Sequence, residues 1–521
     1  MTAPDTARIL YRNGRVYSAA DPRATALVTH AGRIEWLGED ADAPRADVIV
    51  DLDGALVTPA FVDAHVHATD TGIVLLGLDL LGTVSATDVL DRLAAHAATL
   101  PGDAVVIGHG WDESSWTDQS PPTAAQIDRA GGGREVYLSQ ISVHSAVVSS
   151  GLLARIPADT PGHDPSGWVR RDAHHVVREI AMGAISPAQR DAGQRAALRR
   201  AAALGIAAVH ECGGPGTSDE DDFVHALALG REPGLPDVFG FWGELGGAAK
   251  ARELGATGAG GDLYADGALG SQTAHLRSPY LDVDDAGCGH GYLTAEEVAS
   301  HLVECTQLGM QGGFHAIGDA AIGTVMDGFA KAAEKVGMDR LRAARHRIEH
   351  AEILDKTLIA GFVEHGIVAS MQPAFDRLWG GEHAMYAQRL GVERSLASNP
   401  VGALAGVGVT LAFGSDSPVT PLDPWGTIRA AMTHHNPVHR IGVRAAFAAH
   451  SRGGWRAVRR DEDGVLVPGA PATFAVWDDH GNIGPNGLPD LVAPAGEPVP
   501  ELPTCLRTVA HGIDIFFVEE H

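Results

Sequence analysis

The chain has 521 residues, 45% of them apolar and 20% charged, the composition of a globular protein long enough for a barrel with insertions. Its 66 acidic and 39 basic residues give a net charge of −27, which opposes nucleic acid and anionic membrane surfaces as partners. Four scattered cysteines (Cys212, Cys288, Cys305 and Cys505) form no CxxC pair, so reduced thiols in a cytoplasmic protein are expected rather than a disulfide scaffold.

The start, Met1-Thr2-Ala3-Pro4-Asp5, lacks a basic region followed by an apolar core, so no signal peptide is expected. Residues 8–54 carry short strand-like segments between turn residues, a small β unit of hairpins. The apolar run 56–67 then reads as a buried strand and ends in His65-Val66-His67. From there strand-like runs alternate with Ala-rich helical segments at 86–99, 187–204, 295–308, 320–336 and 423–433, a parallel β/α pattern. The further strand candidates are 104–109, 136–139, 206–211, 237–242, 262–266, 311–316, 346–350, 367–371 and 409–415. An eight-stranded barrel needs two fewer. The surplus pair, 104–109 and 136–139, falls within an excursion at about 70–200, read as an insertion over the barrel mouth. No run is apolar for long enough to span a membrane. The last β-rich segments, at 464–467, 473–477 and 508–516, resemble the first. The expected fold is therefore α/β: a (β/α)8 TIM-like barrel over 58–455 and a discontinuous β-sandwich from residues 1–57 and 456–521.

On a strand, residues i and i+2 face the same side, so His65 and His67 converge on one spot. Two imidazoles there suit a borderline metal such as zinc. A lone HxH is weak, since histidines also occupy ordinary strand faces. The later strands, however, end in Gly313-Phe314-His315-Ala316, Arg347-Ile348-Glu349-His350 and Phe413-Gly414-Ser415-Asp416-Ser417. With the insertion removed these are strands five, six and eight, and strand ends meet at the face where barrel enzymes do their chemistry. Gln372 follows the seventh strand, where it is placed to donate to substrate. Trp111 and Asp112, in an aromatic-rich stretch of the insertion, are candidates to line the mouth, with ordinary packing as the competing reading for the tryptophan.

The stretches Thr58-Pro-Ala-Phe-Val-Asp-Ala-His-Val-His67, Gly110-Trp-Asp-Glu-Ser-Ser-Trp116, His144-Ser-Ala-Val-Val-Ser-Ser150, Asp266-Gly-Ala-Leu-Gly-Ser271, Phe314-His-Ala-Ile-Gly-Asp319, Arg347-Ile-Glu-His350 and Ser415-Asp-Ser-Pro418 span most of the chain. Together they resemble the amidohydrolase superfamily, and within it the YtcJ-like metal-dependent hydrolases. The resemblance implies a metal-bearing barrel, a sandwich built from both termini, hydrolysis of a C–N bond in a small molecule, and in many members a homodimer. It also implies that His144 points toward substrate.

One position departs from the pattern. The family usually carries on its fourth strand a lysine, carbamylated by CO2, that bridges two metals; the corresponding residue here is Asp262. Aspartate is several bonds shorter and does not simply span the same gap. Three readings follow: Asp262 binds metal after a local backbone shift, Glu211 or Cys212 at the end of the second strand supplies the bridge, or the site holds one metal. The one-metal reading is preferred, because His65, His67, His315 and Asp416 match the ligand set of one-metal members, with His350 then free to contact substrate or position hydroxide.

The expected chemistry follows. A divalent ion, Zn2+ by ligand type, lowers the pKa of a bound water so that hydroxide attacks an amide, formamide or cyclic amide. Asp416 takes the proton and passes it to the leaving nitrogen, while His350 helps polarise the carbonyl. A one-metal deaminase and a metal-dependent isomerase or lyase are the alternatives on the same scaffold.

Overall fold

The computed structural model describes residues 7–142, 144–282, 287–494 and 496–518. The chain forms two compact units, one of Met1–His67 with Leu198–His521 and one of Ala68–Ala197.

The first unit is built on a parallel eight-stranded sheet: β1 (Phe61–Val66), β2 (Ile206–Gly213), β3 (Asp237–Trp242), β4 (Gly258–Ala259), β5 (Gln311–Ala316), β6 (Arg347–His350), β7 (Val368–Met371) and β8 (Leu411–Phe413), each paired with the next. The last strand returns to the first: Asp416 N–H donates to His65 O at 2.8 Å and His67 N–H to Ser417 O at 2.9 Å, so the sheet closes as a barrel. Every residue of β1, β2, β5 and β6 is buried, as expected of parallel strands covered on both faces. Helices cover the outer face. One of them, α1 (Ala295–Leu308), starts at a Thr294/Glu297 capping box and stops at Gly309, whose φ is +70°. It packs along α2 (Asp319–Val336).

The run 56–67 is two strands rather than one. Leu56–Pro59 pairs antiparallel with Phe474–Asp478 in a five-stranded sheet that draws on both ends of the chain, and β1 begins at Phe61. Pro59 has no N–H to continue a ladder, and the chain changes sheets there. A second sheet, from Ile9–Arg12, Ala26–His30, Arg33–Gly38 and Val48–Asp51, packs with the five-stranded one through a core of Tyr11, Leu27, Ile34, Val57, Phe474 and Val509. Phe61 joins sandwich to barrel, its ring 5.0–5.5 Å from those of Trp425, Phe447 and Trp477. Burial of such a side chain contributes about 1.5–3 kcal/mol.

The second unit holds the segments near 104–109 and 136–139. They are Val106–Trp111 and Val136–Gln140, parallel neighbours in a five-stranded mixed sheet completed by Leu78–Asp79, Ser145–Val148 and Trp168–Arg170. Helices including Ala86–Ala97 and Arg171–Gly183 pack on this sheet, which has its own apolar cores. Among the described residues, no helix is long and apolar enough to cross a membrane.

Candidate metal centre

Six side chains from five strand ends converge at the C-terminal face of the barrel. His65 and His67 come from β1, His315 from β5, His350 from β6, Asp416 follows β8, and Asp262 follows β4. The Asp262 carboxylate sits among the imidazoles. Its Oδ1 is 3.4 Å from His65 Nε2, 3.6 Å from His315 Nδ1 and 3.8 Å from His350 Nε2, and its Oδ2 is 3.3 Å from His67 Nε2. Asp416 Oδ1 lies 3.1 Å from His67 Nε2 and 3.5 Å from His65 Nε2. Among the described residues three groups of three donors fall within 4.8 Å, two of them drawn from these six side chains: His65, His67 and Asp416, and His65, Asp262 and His350. Donors about 2.1 Å from one tetrahedral cation stand about 3.4 Å apart, which is the spacing observed here.

The backbone pays locally for these positions. His350, Ala351 and Asp416 have φ of 68°, 49° and 56°, a left-handed region that side chains rarely adopt. Such residues cost on the order of 1–3 kcal/mol each and persist where the surroundings hold them. Asp416 is held by its bond to His65 O, and Ala351 by an N–H bond to Ala316 O at 3.1 Å.

A second layer fixes which ring nitrogen faces the centre. His65 Nδ1 donates to Glu349 Oε2 at 2.9 Å, which turns Nε2 toward the centre. His350 Nδ1 meets Gln372 Oε1 at 2.8 Å, and His315 Nε2 meets Gly267 O at 3.2 Å. The inward atoms His65 Nε2, His315 Nδ1, His350 Nε2 and Asp262 Oδ1 are all buried without a hydrogen-bond partner. Buried polar atoms are ordinarily satisfied. Four orphans aimed at one spot, all metal-ligating types, fit a divalent cation. Burial alone would raise the Asp262 carboxyl, but the imidazoles of His65, His315 and His350 overcome it and hold it well below the usual carboxylate range. Burial likewise opposes charge on His67, yet Asp262 and Asp416 push its ring well above an ordinary histidine. The pocket attracts positive charge.

Glu349 is itself held by Arg347, whose Nε and Nη2 donate to its two oxygens at 2.5 and 2.9 Å. Arg347 also donates to Ala64 O and Ser370 Oγ, meets His210 Nδ1 at 3.0 Å, and lies 4.3 Å over the Phe241 ring. Burial and then the Arg347 charge keep His210 well below an ordinary histidine, hence neutral and able to accept.

The short Asp262 reaches the centre because its strand runs close to its neighbours. A Cβ on Gly260 would stand 2.3 Å from Gly313 N, and one on Gly261, whose φ is +74°, 3.0 Å from Cys212 Sγ. Residues 262–266 are not a strand. Beyond β4 the backbone turns at the glycines, and only Tyr264 makes an isolated parallel bridge, to His315. The Asp266 carboxylate accepts from Ile317, Gly318 and His275 N–H at 2.8–2.9 Å and so anchors the loop after β5.

Glu211 is buried on β2 and, among the described residues, enters none of the donor groups. Cys212 groups with His65 and Glu349, but burial pushes its thiol up, and both partners are already bonded to each other. Gln372 orients His350, and its Nε2 is a buried atom with no partner. Trp111 is fully buried in the second unit, where its Nε1 donates to Leu138 O at 2.8 Å and its ring packs that unit's core. Asp112 caps a short 3-10 turn by accepting from Ser114 N–H at 3.1 Å, and His144 is exposed on the second unit. The role of Arg347 behind Glu349 is not among the expectations from sequence. For Arg347 a signal existed: it alternates with Glu349 on a buried strand, so both charges share one face.

The model of the amidohydrolase family matches residues 48–499. YtcJ of Bacillus subtilis (strain 168), named as an amidohydrolase, is 27% identical over 496 residues, covering 86% of this chain and 89% of its own. The N-substituted formamide deformylase of Arthrobacter pascens is 24% identical over 543 residues, covering 92% and 94%. The crystal structure of an uncharacterized metal-dependent hydrolase from Pyrococcus furiosus superposes with a TM-score of 0.74 at 25% identity, covering 90% of this chain and 98% of that one. With a barrel closed around six convergent ligand-type side chains and a match over most of its length, the chain belongs to the amidohydrolase family.

Proposed function

We propose that the protein hydrolyses a non-peptide C–N bond of a small amide, formamide or cyclic amide at a centre where His65, His67, Asp262, His315, His350 and Asp416 would hold two divalent cations. The observation that carries this reading is the convergence of unpartnered His65 Nε2, His315 Nδ1, His350 Nε2 and Asp262 Oδ1 beside the less buried His67 and Asp416. His65, His67 and Asp416 would hold one cation and His315 and His350 the other, with the Asp262 carboxylate within 3.3–3.8 Å of all four imidazoles. The single-ion set of His65, His67, His315 and Asp416 is the alternative; the Asp262 carboxylate within 3.3–3.8 Å of all four imidazoles favours two cations. Imidazole and carboxylate donors in this mixture suit Zn2+. The resemblance to a formamide deformylase over most of the chain supports the substrate class.

Bound cations supply Lewis acidity, acidifying water and polarising a carbonyl. The chain supplies the rest. Asp416 takes the proton of the attacking water and delivers it to the leaving nitrogen, so that the C–N bond breaks as an acid and an amine form. Glu349 and Gln372 keep His65 and His350 in the tautomers that face inward. The deeply buried His65 and His350 exclude water from the back of the site, and His67 and Asp416, 15% and 10% exposed, mark its open side.

The test is a panel of N-formyl amines, linear amides and lactams offered to zinc-loaded protein in isotopically labelled water. Amine release with label in the carboxylate is expected, and Asp416→Asn should lower kcat by about 10²–10⁴-fold with the fold retained. Ammonia release from amino-substituted heterocycles without amide cleavage, or turnover without label, would contradict the proposal.

A further inference from the structure

Tyr264 stands two residues beyond Asp262 at the rim of the centre. Its backbone is fixed from both sides: it bridges His315, His315 N–H donates to Leu263 O at 3.0 Å, and Ala265 N–H donates to His315 O at 2.8 Å. The ring packs against the His315 imidazole, centroids 4.8 Å apart. The hydroxyl comes within 3.4 Å of Asp262 Oδ2, and the residue is 37% exposed.

That hydroxyl is positioned but not committed. An O–H···O bond is ordinarily about 2.7–2.8 Å, so 3.4 Å is a weak one. Asp262 Oδ2 also faces His67 Nε2 at 3.3 Å and belongs to the donor set. Any bound cation would attract a developing negative oxygen; among the described residues, the chain's other groups at the opening suit it less. Asp262 and Asp416 are carboxylates, which would repel it, and the inward nitrogens of His65, His67, His315 and His350 face the Asp262 carboxylate as members of the donor set. The Gln372 amide lies buried behind His350. Tyr264 is a neutral donor on the exposed side.

We infer that Tyr264 is a catalytic residue whose hydroxyl donates a hydrogen bond to the substrate carbonyl oxygen as water adds to the carbon. This deepens the C–N hydrolase reading and rests on it. In the step, the water oxygen bonds to the carbonyl carbon and the π electrons move onto the carbonyl oxygen, which accepts the Tyr264 O–H bond. The electrons then return, the C–N bond breaks, and the proton taken by Asp416 passes to nitrogen. Tyr264 keeps its own proton throughout.

Tyr264→Phe keeps the ring that packs on His315 and removes only the donor. With the zinc-loaded protein and its best amide substrate, kcat should fall by about 10²–10³-fold, with KM within threefold. Metal content and thermal midpoint should be unchanged. The matching thioamide tests the contact itself: sulfur is a weak acceptor, so the loss there should be tenfold or less. An unchanged kcat overturns the inference, as does an equal loss on both substrates or a loss of metal, either of which would make Tyr264 a support for Asp262. A wild-type protein that cleaves no amide, formamide or lactam overturns the underlying C–N reading and this inference with it. An active wild type with an equally active Phe variant overturns this inference alone.

Discussion

Glu349 decides how His65 faces the centre. It accepts from His65 Nδ1 and is itself neutralised by Arg347, so a buried charge pair acts as an orienting device. Glu349→Gln keeps an acceptor for His65 but leaves the Arg347 guanidinium buried without a counter-charge. Metal affinity in a chelator competition should weaken by about 10–100-fold. Urea unfolding should show a loss of about 3–5 kcal/mol, the cost of breaking a buried pair. Wild-type affinity and stability would mean that His65 is oriented by something else. At this scale the sequence was partly legible. His65, His67, His315, His350 and Asp416 stand at strand ends where a barrel gathers its chemistry, and strand periodicity alone points the first two to one side. In sequence Asp262 reads only as one of several replacements for a lysine, since reach cannot be judged from side-chain length without the backbone's path. Trp111 reads both as a lining residue and as ordinary packing, because an aromatic near a proposed mouth cannot be told from a core aromatic by spacing.

The element that makes the short carboxylate work is β4. It is only Gly258–Ala259, followed by Gly260 and Gly261, and the missing side chains let the backbone lie against Gly313 and Cys212. A Cβ at Gly260 would meet backbone rather than a flexible side chain, so the strand must move outward to admit it. Gly260→Ala should therefore cost about 1–3 kcal/mol of stability and reduce the metal retained after dialysis. Full metal retention with a normal thermal midpoint would show that close approach of β4 is not what brings Asp262 to the centre. Sequence pattern placed this strand at 262–266, because Leu263 and Tyr264 look more strand-like than a glycine run. The strand propensities of those residues lose here to the packing of neighbouring backbones.

On the scale of the whole molecule, the alternation of buried strands with Ala-rich helices was enough to read a parallel barrel, and hairpin-like segments at both ends were enough to read a composite sheet domain. The strand at 56–67 spanned two sheets because apolar burial continues across Pro59 while pairing does not. The second unit, Ala68–Ala197, has a sheet and cores of its own, and its two inner strands were visible in sequence without their partners. The central claim is a centre that would hold two cations, with Asp262 among its donors. It is tested most directly by metal per chain, by elemental analysis of zinc-reconstituted and desalted protein, wild type beside Asp262→Asn and His350→Ala. The account predicts about two ions in the wild type, about one in His350→Ala and one or fewer in Asp262→Asn. One ion in the wild type, unchanged in His350→Ala, would contradict it and restore the single-ion set.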